Sequence, residues 1–93
     1  MKIFKYTFPV GSIVELKTHQ VYKILHFAVR SPAEITVWAL VDENTKKDHQ
    51  VHNFIIYGTG HPVDPETTGN YLTTVIDALG LVWHIFEGTE DRI

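Results

Sequence analysis

About seven short runs of β-branched and aromatic residues, spaced roughly 8–12 residues apart and separated by turn formers, limit what this chain can become. Residues 2–8 alternate strictly and put Phe4, Tyr6 and Phe8 on one face, a period of two that reads as a half-buried strand ended by Pro9 and Gly11. A second run covers 13–17, and Thr18-His19-Gln20 turns the chain. The run 21–30 is apolar on both faces: Val21, Lys23, Leu25, Phe27 and Val29 share one, and Tyr22, Ile24, His26 and Ala28 the other. A strand of that kind is expected at the centre of a sheet. Ser31-Pro32-Ala33 leads into the β-branched run 35–41, and the polar segment 42–48 is expected to be the tip of a hairpin whose return strand is 50–57. Runs 71–76 and 81–86 form a last pair around Asp77-Ala78-Leu79-Gly80, and 88–93 is a polar tail. No stretch carries an apolar helical stripe over three turns. Residues 68–79 come nearest, but the β-branched Thr73, Thr74, Val75 and Ile76 disfavour a helix there. The expectation is a mainly β single domain, 1–93, a small antiparallel sandwich or barrel, with a sheet plus one short helix as the alternative.

The longest interruption runs from Gly58 to Asn70 and holds 13 residues. Loops beyond roughly 12–15 residues are uncommon and are usually functional or disordered. Gly58 and Gly60 around Thr59 suggest positive φ or a close approach. Pro62 and Pro65 stiffen the middle of the loop, and Asp64, Thr67, Thr68 and Asn70 can hydrogen-bond their own backbone. An ordered loop is expected, either a cap on the sheet or a functional surface.

Composition narrows the function classes. The 93 residues contain no cysteine, which removes disulfides, thiolate catalysis and zinc–thiolate sites. The first ten residues hold two lysines but no apolar core of a signal peptide, and no run approaches the roughly 18 apolar residues of a membrane span, so a cytoplasmic protein is expected. The net charge of −3 is unevenly spread. Residues 1–30 hold five basic residues against one acid, whereas 31–93 hold three against ten. Nucleic-acid binding needs a Lys/Arg footprint, and the N-terminal third offers only a modest one, so nucleic acid is not an expected partner.

Catalytic equipment is sparse. The serines, Ser12 and Ser31, lie in turn contexts without a nucleophile motif, and no catalytic residue is assigned. His49 and His52 stand three apart and diverge on a strand; His61 and His84 with Asp64 would be needed for a two-His-one-carboxylate site, which nothing in the spacing demands. A general base at His61 with Asp64 or Asp77 lacks a nucleophile. The Gly58-Thr59-Gly60 nest lacks the lysine and helix of a phosphate loop. No metal and no cofactor are expected. Trp83 and His84 must face opposite ways, and both Trp83 and Trp38 are read first as core residues. The functional alternative is a binding patch of Tyr57, Gly58, Thr59, Gly60, His61, Tyr71, Trp83 and His84, because Tyr and Trp dominate interface hot spots.

Five segments carry a resemblance: KIFKY at 2–6, VWALVD at 37–42, YGTGH at 57–61, YLTT at 71–74 and LVWHIFE at 81–87. In this order and combination the chain resembles a family of small uncharacterised bacteriophage and prophage proteins, over nearly its whole length. The first strand departs from that pattern by running on through Thr7-Phe8-Pro9. The resemblance implies a phage or prophage accessory protein in the host cytoplasm. The expected function is a non-enzymatic binding module for a host factor, a defence component among the candidates; the alternatives are an oligomer that sequesters a small nucleotide-like ligand, or a structural phage protein. The uneven charge and small size lead to the expectation of a homo-oligomer.

Overall fold

Alternating side chains extend the backbone into strands, and the computed structural model of the chain contains strands and turns throughout the residues it describes: 1–11, 13–31 and 34–88, without the side chains of Arg30 and Ser31. The strands are β1 (Lys2–Pro9), β2 (Ile13–Thr18), β3 (Gln20–Ser31), β4 (Glu34–Asp42), β5 (Gln50–Gly58), β6 (Thr68–Ile76) and β7 (Val82–Gly88). They form two antiparallel sheets, one ordered β1-β4-β3 and one ordered β2-β5-β7-β6. The expected β-sandwich is therefore the fold that forms, and 68–79 is strand and turn rather than helix. Among the described residues no helix is long and apolar enough to cross a membrane. Ser12, Pro32, Ala33 and the tail beyond Gly88 lie outside the described residues.

The core is the space between the sheets. Phe8, Phe27, Ile35 and Val37 come from the three-stranded sheet, and Phe54, Ile56, Val75 and Ile85 from the four-stranded one. Phe54 stacks on Phe8 at 5.7 Å between ring centroids, meets Phe27 edge-on at 5.7 Å and stacks against His52 at 6.2 Å. The His52 Nε2 lies 3.0 Å from the Thr18 Oγ1, and the Thr18 hydroxyl donates its one hydrogen to the His19 carbonyl. The imidazole must therefore donate from Nε2. Burial pushes the His52 pKa down, with the Glu87 charge opposing.

Three expectations are corrected. Residues 42–48 are not a hairpin tip. β4 already has β1 on one side and β3 on the other, so β5 cannot pair with it and the chain crosses to the second sheet. A second crossing at His19 joins β2 to β3, and the two are tied together: Thr45 accepts from Gln20 N–H through its Oγ1 at 2.8 Å, and its carbonyl lies 2.7 Å from the His19 Nδ1. Nor is β3 central. It is an edge strand whose register shifts between Val21 and Lys23, Ile24 and His26, and Val29 and Ser31. Each shift resets the alternation, so Val21, Ile24, Phe27 and Val29 face the core opposite Val41, Ala39, Val37 and Ile35. That irregular spacing is what makes the sequence look apolar on both faces. Finally, Trp38 is not a core residue: it lies on the outer side of its sheet, alternating with buried Val37 and Ala39.

Candidate functional site: the outer face of the four-stranded sheet

Strand alternation sends Phe54 and Ile56 inward and Ile55 and Tyr57 outward, and in β7 it sends Ile85 inward and His84 and Phe86 outward. Register then aligns the outward residues. Ile13, Ile55, Phe86 and Tyr71 form one apolar row across all four strands, and Tyr57, His84 and Thr74 form the next. Phe86 is held edge-on by Tyr57 at 5.8 Å and by Tyr71 at 5.5 Å. The ends of the apolar row are open: Ile13 is 73% and Tyr71 57% exposed.

Both tyrosine hydroxyls are anchored. Thr68 donates to the Asp64 carbonyl at 2.7 Å, so the Tyr57 hydroxyl, 2.7 Å from the Thr68 Oγ1, donates to it. The Tyr71 hydroxyl lies 2.6 Å from the Thr74 Oγ1, which lies 3.0 Å from the His84 Nδ1, whose Nε2 lies 2.8 Å from the Thr59 Oγ1. A hydrogen-bonded chain thus runs from the glycine turn to the edge tyrosine. It fixes aromatic rings at low entropic cost, a property of interface anchors.

The glycine turn is built as the sequence suggests. His61 N–H donates to the Gly58 carbonyl at 3.1 Å, and Gly60 takes φ 87°. With no positive φ at Thr59, this is a type II turn, which needs glycine at its third position. The remaining loop, shortened to 59–67 by the lengths of β5 and β6, is pinned by Asp64, whose Oδ1 accepts the Glu66 N–H and whose carbonyl accepts the Thr67 N–H.

His61 and His84 do not converge. The His61 ring folds back onto Gly58, accepting its N–H through Nδ1 at 3.1 Å, on the side of the sheet where Trp83 lies, 6.4 Å away edge-on. His84 meets the same turn from the outer side through Thr59. Among the described residues no three His, Asp or Glu side chains stand close enough to hold a metal ion. The carboxylates that could serve a His61 base are occupied elsewhere: Asp64 pins its own loop, and Asp77 is buried. The Asp77 Oδ1 accepts the Leu79 and Leu81 amides at 2.9 Å and its Oδ2 accepts the Trp83 Nε1–H at 3.1 Å. Burial pulls the Asp77 pKa upward, but the hydrogen bonds from Trp83, Leu81 and Leu79 outweigh it and leave it lowered.

Of the sequence-derived patch, Tyr57, Thr59, Tyr71 and His84 share the outer face. Gly58 and Gly60 shape the turn beside it, and His61 and Trp83 sit across the sheet. These last two line a cleft of about 370 Å³ with Gly58, Thr59, Gly80, Leu81 and Val82. Sequence reading missed Phe86, the centre of the aromatic row, although its place two residues after His84 puts it on the same face. Ile13, Ile55, Thr68 and Thr74 needed the strand register to be found.

Compared with known proteins, the chain matches the family described as Domain of unknown function (DUF7352) over residues 1–93, and it belongs to that family. No curated protein and no solved structure matches it.

Proposed function

We propose that this member of the DUF7352 family is a non-enzymatic binding module that docks a protein partner on the outer face of its four-stranded sheet. The observation that carries this reading is the apolar row Ile13–Ile55–Phe86–Tyr71, open at both ends and bordered by the polar Thr59, His84 and Thr74. An apolar centre with anchored aromatics inside a polar rim has the anatomy of a recognition surface. The resemblance to phage and prophage proteins supports an accessory role in the host cytoplasm, with a host factor, including a defence component, as the partner. Affinity capture from bacterial lysate tests this. A stoichiometric partner retained by the wild-type protein and lost by Ile13→Asp and Tyr71→Ala, both at exposed positions, is the expected result. The absence of such a partner, or its retention by both variants, refutes it.

A second reading rests on the cleft beside His61 and Trp83, which is large enough for a small ligand sequestered without chemistry. A thermal-shift screen separates the two readings, since a ligand at 100 times its Kd stabilises by about 2.7 kcal/mol. The uneven charge along the chain supports a homo-oligomer in either case, and sedimentation at low and high salt tests it.

A further inference from the structure

The opposite outer face, on the three-stranded sheet, has a different character. Register places Lys5, Trp38 and His26 in one row across β1, β4 and β3, flanked by a row of Ile3, Leu40 and Lys23 and a row of Thr7, Thr36 and Ala28. Trp38 is half-buried, and the His26 ring lies 5.9 Å from it at 36°. Lys5 and Lys23 are exposed, and among the described residues neither makes an ion pair. The carboxylates of this sheet lie at strand ends: Glu34 stands opposite Pro9, and the Asp42 Oδ1 accepts the Asn44 N–H. The Thr7 and Thr36 hydroxyls are bonded to each other at 3.2 Å.

We propose that this face binds single-stranded nucleic acid, with a base stacked on Trp38 and backbone phosphates on Lys5 and Lys23. The whole-chain charge argues against such a partner, but folding sets Lys5 and Lys23 on one face and leaves the carboxylates of the Asp64–Glu66 loop with the other sheet. Neighbouring strands lie about 4.8 Å apart and rows repeat about every 6.8 Å along a strand, so the Trp38 ring has Lys5 beside it in its own row and Lys23 in the next. Single strands offer a base flanked by its own backbone phosphates, whereas an acidic peptide offers charge without a planar ring. The three rows lie on the outer surface of a sheet, which suits an extended ligand. No Arg, Asn or Gln stands in these three rows, so binding is tolerant of sequence.

Fluorescence anisotropy with labelled oligo-dT and oligo-U, at low and moderate salt, tests the proposal. The expected Kd is on the order of 10⁻⁴ to 10⁻⁶ M, with a log–log salt slope of about −1.4 for two phosphate contacts. Trp38→Leu weakens binding between about five-fold and a hundred-fold, and Trp38→Phe retains most of it. The double variant Lys5→Glu/Lys23→Glu abolishes it; both positions are exposed, so this variant keeps the fold even where Trp38→Leu does not. Tyr71→Ala on the other face leaves it unchanged. No binding at low salt overturns the proposal. So does equal binding of heparin with no effect of Trp38→Leu, which would mean anion attraction without stacking, and so does binding of polyglutamate in place of the oligonucleotides.

Discussion

Gly58→Ala adds one methyl group beneath the His61 ring, and its effect should change sign with the residue at 61. The new Cβ would lie 2.8 Å from the His61 Cε1, 3.0 Å from Nδ1 and 3.1 Å from Nε2. Carbon contacts prefer about 3.5–4.0 Å, so one side must move. The strand is held in register with Trp83 of β7, whereas His61 is an exposed side chain on a turn, so the ring swings away. Two interactions go with it: the Gly58 N–H bond to Nδ1 and the edge contact with Trp83. Each is worth about 0.5–1 kcal/mol at a partly exposed site. Against that, alanine restricts the unfolded chain and returns about 0.4–1 kcal/mol where its backbone conformation is allowed. Gly58 has no positive φ, so that gain is available.

The net cost in the wild-type background is then about 0.5–1 kcal/mol, a fall in Tm of roughly 2–8 °C for a domain of this size. In a His61→Ala background the ring is absent, and the same substitution should stabilise by about 0.4–1 kcal/mol. Urea unfolding of the four proteins in the cycle measures the coupling, expected at about 1–2 kcal/mol. Additivity within about 0.5 kcal/mol would show that the ring does not rest on Gly58 and would sink the account of the turn.

Gly69→Ala should behave differently, because its Cβ would meet the Glu87 backbone carbonyl at 2.8 Å and no side chain can swing aside; a loss of about 1–3 kcal/mol in urea unfolding is expected, and a neutral result would refute the close approach of β6 to β7. His52 has a folded-state pKa below its ordinary 6.5, so the stability it contributes is present above that value and is lost as the pH falls through the folded pKa. Urea midpoints between about pH 7.5 and 5 should fall more steeply for the wild-type protein than for His52→Phe, and equal slopes would contradict the burial argument. Asp77, lowered below 3.8, contributes stability above its unfolded pKa that is lost as the pH falls through the folded one. Asp77→Asn sets an amide hydrogen against the Trp83 Nε1–H, so it should lower Tm at neutral pH and flatten the acid limb below about pH 4; an unchanged Tm would argue that this carboxylate does not hold the turn.

Local chemistry was legible in the sequence, and non-local pairing was not. Asp77-Ala78-Leu79-Gly80 announces its hairpin because Asp at the first position can cap its own turn and Gly at the fourth can take the positive φ of 83° that closes a type I turn into a hairpin. The segment 42–48 carries equally good turn chemistry, yet whether the next strand returns beside β4 depends on both edges of β4 being taken, a fact located at residues 2–9 and 20–31. The bulges of β3 leave no glycine or proline mark within the run 20–29, so a strict period of two sorted its residues wrongly. Alternation showed that Trp83 and His84 diverge but not which one faces inward. Trp83 turns in because Asp77, buried at the hairpin, gives its indole N–H a partner. Trp38 had no such partner to recruit it, and Val37 and Ala39 took the inner positions.

The strand edges add a reason to look for partners on the faces. An open two-sheet sandwich has four edge strands, and each exposed ladder invites pairing with a foreign strand. β3 is broken by three register shifts and β6 by two, between Thr68 and Tyr71 and between Tyr71 and Thr73. β2 is six residues long and alternates apolar residues with exposed Glu15 and Lys17. β1 alone keeps a continuous register over eight pairs, and it carries Lys2 and Lys5 and closes with Pro9, which has no N–H to offer. Bulges, charges and proline on all four edges disfavour strand addition, whereas neither outer face carries a comparable defence. On the four-stranded face the apolar row crosses every strand without a charged residue in it, and on the other Trp38 stands between a lysine and a histidine. On the proposed reading recognition rests on side chains of the two faces, and substitutions that leave every backbone pair intact, such as Tyr71→Ala and Lys5→Glu, are the ones that separate the two surfaces.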